Sequence, residues 1–197
     1  MPAGVIEAKT ALRQEIANKP RPNWDPMIRA FERLPELERA DTVLLFYGVR
    51  KEPDTRTLIS RLLEQGKTVA LPRCLPGRQM EARAVTDLEH LKLSAFSIPE
   101  PDDFCPVVEK EKIDLVLVPN LCCDRHGYRL GHGAGYYDRY LAGYAGVTVS
   151  LCPEDWLQES VPRSEMDVPV KLVLTEAKAW RGVETPRQTS EGFSNAR

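Results

Sequence analysis

Histidine is scarce in this sequence, no C-x-x-C pair occurs, and no apolar run approaches bilayer-spanning length. Each absence removes a class of function. Three histidines, at 90, 126 and 132, and five cysteines, at 74, 105, 122, 123 and 152, offer no spacing suited to a zinc site. The odd cysteine count argues against a closed disulfide framework, and reduced thiols fit a cytoplasmic enzyme. Adjacent Cys122 and Cys123 are expected to face opposite sides of an extended segment. A spanning helix needs about 20 consecutive apolar residues, and the N-terminus has no apolar block of the secretory kind. A formal net charge of −2 and a pI near 6.0 leave no global electrostatic case for nucleic acid, so any polyanion site must be local. The expected partners are small molecules, with neither nucleic acid nor membrane, and a monomer is expected.

What is present suits one domain with a sizeable core: 197 residues, 42% of them apolar. That domain is expected over 1–180. A disordered tail is expected over 181–197, where large apolar residues are few. Val5, Ala8, Leu12 and Ile16 predict a helix that ends before Pro20. A second helix is predicted over Pro26–Glu38, with a break or bend near Pro35. Strands at Thr42–Tyr47 and Lys67–Leu71 flank a helix that Asp54 caps and Gly66 closes, which makes a β-α-β unit. Further strands are predicted at Met80–Val85, Ile113–Pro119, Val147–Leu151 and Val170–Leu174. This alternation gives an α/β sandwich with a mostly parallel sheet.

The stretch from Arg129 to Arg139 carries the chemistry. Gly131, Gly133 and Gly135 alternate with His132 and Ala134, and Tyr136, Tyr137, Asp138 and Arg139 follow. Glycine permits positive φ and lets backbone amides approach an anion closely. The residues after the glycines read as the first turn of a helix, whose N-terminus favours phosphate. Asp138 is a hard oxygen ligand suited to a divalent cation beside that phosphate. The order of strand, connection, glycine loop and helix places the loop beyond the carboxyl end of a strand, where α/β sheets bind ligands. Neither the G-x-G-x-x-G dinucleotide spacing nor a Walker G-K-S/T is present. On spacing alone, a plain glycine turn and a nucleotide site remain equally open.

The longer string resolves that choice. Val118-Pro119, Asp124, Gly127, Arg129-Leu130-Gly131 and Gly133 through Arg139 resemble the 5-formyltetrahydrofolate cyclo-ligase (5,10-methenyltetrahydrofolate synthetase) family. Lys9, Arg13, Glu52, Leu71-Pro72-Arg73, Met80, Ile98-Pro99-Glu100-Pro101, Val161-Pro162 and Asp167 extend the match from about Lys9 to about Trp180. The resemblance implies a three-layer α/β/α sandwich, Rossmann-like, and ATP- and Mg2+-dependent closure of 5-formyltetrahydrofolate to 5,10-methenyltetrahydrofolate, with release of ADP and phosphate. The formyl oxygen attacks the γ-phosphorus, N10 then attacks the activated carbon, and phosphate departs. Such chemistry needs no protein nucleophile, only positioning and charge neutralisation.

The same resemblance implies residue roles. Lys9 and Arg13, four apart on one helix face, would meet the ATP phosphates. Arg129, Leu130, Gly131, His132, Gly133, Ala134, Gly135, Tyr136 and Tyr137 would form the nucleotide loop, with Lys9, Arg13 and Arg129 as the catalytic candidates. Asp138 and Asp167 correspond to the Mg2+ ligands. Glu52 would accept hydrogen bonds from the pterin edge, and Tyr47, Met80, Phe96, His132 and Tyr136 would surround the ring and linker. Glu100, between two prolines, is expected to shape a turn. Asn120, Cys122-Cys123, Ala134, Trp156 and Lys171 depart from the usual pattern, and Trp156 and Lys171 bear on the second metal position. Two alternatives stay open: an ATP-dependent paralogue acting on another folate or amide, and a non-catalytic folate-binding protein.

Overall fold

The computed structural model describes residues 3–94 and 96–182. Its helices are α1 (Ala3–Asn18), α2 (Asp25–Glu32), α3 (Pro35–Arg39), α4 (Arg56–Glu64) and α5 (Tyr136–Leu141). The strands are β1 (Thr42–Leu44), β2 (Thr68–Leu75), β3 (Gln79–Val85), β4 (Lys92–Leu93), β5 (Pro99–Glu100), β6 (Val107–Val108), β7 (Leu115–Leu117), β8 (Cys122–Cys123), β9 (Arg129–Leu130), β10 (Val147–Leu151), β11 (Leu172–Leu174) and β12 (Ala179–Arg181). No helix among the described residues is long and apolar enough to cross a membrane.

Eight strands form one sheet in the order β12-β11-β10-β7-β1-β2-β3-β6. Its centre, β11-β10-β7-β1-β2, is parallel, and β12, β3 and β6 join it antiparallel. Val43, Leu44, Leu115, Val116, Leu117, Val149, Leu172 and Val173 are buried along the central strands, as a sheet covered on both faces requires. Taken in chain order, the parallel strands run 2-1-3-4-5. The direction of winding therefore reverses between β1 and β7, and the crevice beyond their carboxyl ends is where such sheets bind ligands. The segment holding Tyr47 and Glu52 leaves β1 there, and the segment leading to the glycine loop leaves β7.

Several expected boundaries move for local reasons. The helix expected over Pro26–Glu38 is two helices, because Leu34 precedes Pro35 and is extended, with ψ 128°. Strand β2 continues past Leu71 to Leu75. Beyond Ala70 it pairs only with β3, so Pro72 sits where no β1 partner needs its missing N–H. Asp54 does cap α4 from just outside, accepting the Arg56 N–H at 3.1 Å. Gly66 closes that helix with φ 80°, and the Lys67 N–H reaches back to Leu62 O. Arg181 and Gly182, the first residues of the expected tail, lie at the sheet edge, where the Gly182 N–H meets Lys171 O at 2.9 Å. The remaining 183–197 fall outside the described residues.

Helix α1 turns inward much of the face that its apolar pattern predicts: Ile16 is buried and Leu12 packs against the core. Ala8 is exposed, and the other buried position is a charged residue, Lys9. The C-terminal end of α1 is pinned to the segment after β1: Lys51 Nζ donates to the Ala17 and Lys19 carbonyls. A further anchor is Gly127, at φ 89°. A Cβ there would lie 2.1 Å from Val170 O, on the residue whose N–H donates to Gly127 O at 2.8 Å. Gly127→Ala is accordingly expected to cost at least about 1–3 kcal/mol, read as a lower midpoint in denaturant unfolding. An unchanged midpoint would contradict the described turn.

Candidate active site

The glycine loop spans 131–135 between β9 and α5. Gly133 and Gly135 have φ of 107° and 72°, a region that only glycine enters at low cost. The loop's carbonyls are taken by arginines. Arg13 Nε donates to Gly131 O at 2.9 Å, Arg139 NH1 to Gly135 O at 2.9 Å and Arg139 NH2 to Ala134 O at 3.0 Å. The guanidinium of Arg13 also lies against Gly133, within 3.3 Å of where a Cβ would stand. The backbone N–H groups of 131–135 donate to no partner among the described residues. Successive backbone amides without a protein acceptor are what an anion-binding nest requires.

Lys9 and Arg13 both reach this region from α1, as their spacing predicts. Lys9 Nζ donates to both carboxylate oxygens of Asp167, at 2.6 and 2.7 Å, across 158 residues of chain. Asp167 Oδ2 also accepts the Ser164 N–H at 2.5 Å and the Ser164 hydroxyl at 2.9 Å. Burial pushes the Asp167 carboxyl upward in pKa, but Lys9 and Ser164 outweigh it and hold the group below its ordinary value. Arg129 is buried. Its NH1 donates to Val168 O at 2.7 Å and its NH2 lies 3.1 Å from Asp138 Oδ1. Asp138 Oδ1 also accepts the Val168 N–H at 3.2 Å. Thus each carboxylate expected beside a metal faces a cation, and one short segment, 164–168, carries contacts to both.

The residues expected on the folate side come from different elements. Glu52 Oε2 accepts the Val49 N–H at 3.0 Å, and burial holds its carboxyl above the ordinary value, against the Val49 N–H and Arg50. Tyr47 is half-buried just beyond β1. Phe96 is 52% exposed and meets Tyr136 edge-to-face, with ring centroids 6.1 Å apart. Met80 and Leu130 are buried among the core residues. The Tyr137 hydroxyl is buried without a hydrogen-bond partner among the described residues, and burial followed by the charge of Glu52 raises its pKa. His132 sits near Arg50 and Arg13; desolvation and then those two charges lower its pKa.

Some contributors had no clear signal in the sequence. Ser164 stands three residues before Asp167 and shapes its turn, a pattern short enough to pass as an ordinary loop. Glu100 is buried and ties β5 to β2 by accepting the Cys74 N–H at 3.0 Å. The thiol of Cys74, flanked by Glu100 and Tyr136, is pushed up to about 12, first by burial. Trp156 is a core residue in edge-to-face contact with Trp24 at 5.9 Å. Lys171 donates to Ala145 O. Neither departure makes a hydrogen bond to Asp138 or Asp167. Two surface grooves of ≈ 620 and ≈ 430 Å³ lie beside Trp24 and Trp156, respectively, and are lined by none of the expected site residues. All five cysteines are free.

Comparison with known proteins gives one consistent result. The model of the 5-formyltetrahydrofolate cyclo-ligase family matches residues 6–176. The 5-formyltetrahydrofolate cyclo-ligase of Escherichia coli K12 is 33% identical over 153 residues, covering 74% of this chain and 84% of that protein. A probable 5-formyltetrahydrofolate cyclo-ligase of Schizosaccharomyces pombe is 29% identical over 167 residues, covering 76% and 82%. The solution structure of Aquifex aeolicus 5,10-methenyltetrahydrofolate synthetase superposes with a TM-score of 0.77 at 28% identity, over 95% of this chain and 99% of that one.

Proposed function

The chain belongs to the 5-formyltetrahydrofolate cyclo-ligase family, and from that premise we propose that it uses ATP to close 5-formyltetrahydrofolate to 5,10-methenyltetrahydrofolate. The observation that carries this reading is the glycine loop itself. Its Gly131, Ala134 and Gly135 carbonyls accept from Arg13 and Arg139, and its amides have no protein acceptor among the described residues. A triphosphate supplies the charge such a nest needs. Glu52 and the Phe96–Tyr136 pair supply the polar edge and apolar faces that a pterin needs.

In this reading Arg13, Lys9 and the loop amides hold the nucleotide and neutralise charge on the transferring phosphoryl group. Arg129 acts at one remove, by orienting Asp138. The phosphorylated formyl group stays in the site until N10 displaces its oxygen as phosphate, so no covalent bond to the protein is required. No group of three or more His, Cys, Asp or Glu side chains is placed to cage a metal among the described residues. Mg2+ does not need one, since it is commonly held by one or two carboxylates together with phosphate oxygens and water. Asp138 suits that part, because its protein hydrogen bonds use only Oδ1. When bound, the ion would add positive charge against the β- and γ-phosphates.

Isotope transfer tests the proposed route. Substrate carrying 18O in the formyl group is expected to deliver that label into inorganic phosphate. Label retained in a folate product, or lost to water, would rule out attack by the formyl oxygen. A separate prediction concerns Glu52. A group whose pKa is raised on folding contributes most to stability below its unfolded pKa, about 4.3, and loses that contribution as pH rises through the folded value. Glu52→Gln is therefore expected to melt above the parent protein by a margin that grows from pH 4.5 towards pH 7, while folate affinity falls about tenfold or more. Equal melting profiles across that range would contradict the burial of the carboxylate.

A further inference from the structure

We infer that Arg50 is a further catalytic residue, a guanidinium held beside the glycine loop to meet the phosphoryl group as it passes from ATP to the formyl oxygen. The inference rests on the cyclo-ligase reading and adds a cation that lies outside every motif of the sequence. Arg50 stands on the segment that leaves the carboxyl end of β1, and its backbone is left-handed, with φ 57°. That conformation is costly for any residue with a Cβ, and such strain gathers at functional sites. Glycine would close the same turn more cheaply, so the side chain is what the position gains. The other non-glycine residues with positive φ among those described, Arg78 and Ser97, lie instead in the short connections of the β2–β3 and β4–β5 hairpins.

The turn that presents Arg50 is fixed on both sides. The Glu52 N–H returns to Val49 O, and Glu52 Oε2 accepts the Val49 N–H, each at 3.0 Å. Lys51 Nζ donates to carbonyls at the end of α1, and Lys51 O accepts from Trp24 Nε1 at 2.8 Å. Arg50 is therefore tied to the helix that carries Lys9 and Arg13. Its own side chain is exposed and makes no hydrogen bond or ion pair among the described residues. Its charge reaches both halves of the site. It bears on the His132 ring together with Arg13, whose guanidinium lies within 3.3 Å of where a Gly133 Cβ would stand. It also bears on Glu52, the carboxylate read as the pterin contact. Two guanidiniums turned onto one loop repel each other unless an anion joins them, and a phosphoryl group matches their donor geometry. In the transfer, a formyl-oxygen lone pair forms the new bond to the γ-phosphorus. The bond to the β,γ-bridging oxygen breaks, its electron pair stays on ADP, and no proton moves. Arg50 donates to the phosphoryl oxygens over which the charge is spread.

Steady-state cyclisation by the full chain, with 5-formyltetrahydrofolate, ATP and Mg2+, compares the parent with Arg50→Gly and Arg50→Lys. Glycine keeps the left-handed turn and removes only the side chain, so the variant is built to fold. Arg50→Gly is expected to lower kcat about a hundredfold, with KM for both substrates within about threefold of the parent. Arg50→Lys keeps the charge without the fork and is expected to lose about tenfold. Free guanidinium ion at low concentration is expected to raise the Arg50→Gly rate about fivefold or more and to leave the parent unchanged, a response that a structural role would not give. A parent-like kcat in Arg50→Gly would overturn the proposal. An unchanged kcat with KM for 5-formyltetrahydrofolate raised about tenfold would place Arg50 on a carboxylate of the folate tail, and would overturn it as well. Absence of cyclisation by the parent itself would remove the reading beneath the inference, a result distinct from a loss confined to the variants.

Discussion

Asp138→Asn is expected to lower ATP-dependent cyclisation at least about a hundredfold, a loss of about 2.7 kcal/mol in transition-state stabilisation. The choice of asparagine follows from the contacts. Its carbonyl oxygen can still accept from the Val168 N–H and from Arg129, which lie 3.2 and 3.1 Å from Oδ1. What changes is the other oxygen, which becomes an amide donor and can no longer hold a cation next to the phosphates. Alanine would confuse the result. The Arg129 side chain is 4% exposed, and leaving it without its carboxylate would cost stability on the order of 3–5 kcal/mol. Turnover and thermal melting measured together decide the matter. Near-parental turnover in an Asp138→Asn protein that melts normally would remove Asp138 from the reaction.

Asp124→Ala is expected to have the largest effect on stability. Asp124 is 0% exposed and accepts three backbone N–H groups: His126 at 2.9 Å and Tyr128 at 3.1 Å on Oδ1, and Val161 at 3.0 Å on Oδ2. Hydrogen bonds to a charged acceptor contribute about 1.5–3 kcal/mol each, and unmade donors add a desolvation cost. With partial relaxation, a net loss of about 3–5 kcal/mol is reasonable, and for a chain of this size it lowers Tm by about 6–20 °C. The carboxylate joins the β8–β9 hairpin to the segment entering the Ser164–Asp167 turn. Its loss should therefore also disturb Arg129 and, through that turn, Lys9. A melting temperature within about 2 °C of the parent would show that this hub is dispensable.

Much of the fold could be read from the sequence because its signals are local. The β1-α4-β2 unit announces itself by Asp54 before the helix and Gly66 after it. Val147–Leu151 is a β-branched run that the structure keeps whole. Segments governed by distant contacts were harder. Lys9 lies beside the apolar stripe of α1, four residues after Val5 and seven before Ile16, but its pairing with the Asp167 carboxylate, 158 residues away, is not written in the helix. Pro72 signals the end of a strand by itself, yet the strand continues because its β1 neighbour has already stopped.

The site was legible as a set of residues but not as a set of pairings. The glycine spacing indicates positive φ, and Gly133 and Gly135 show it. Arg13 was placed on phosphate; the structure adds that it already grips the loop through Gly131 O. Spacing cannot report that Arg129 turns towards Asp138, or that Val168 bridges them by both its N–H and its carbonyl. Trp156 could look like an altered site residue until its ring is found against Trp24 in the core. These are properties of side chains meeting across the sheet, which no window along the chain contains.

The most direct test of the central claim is to mix the full chain with 5-formyltetrahydrofolate, ATP and Mg2+ and to follow the near-ultraviolet absorbance of the methenyl product alongside released phosphate. The account predicts that the methenyl absorbance appears only when nucleotide is present and rises one-for-one with phosphate. Phosphate release without the methenyl chromophore, or no turnover of 5-formyltetrahydrofolate by a correctly folded protein, would contradict it.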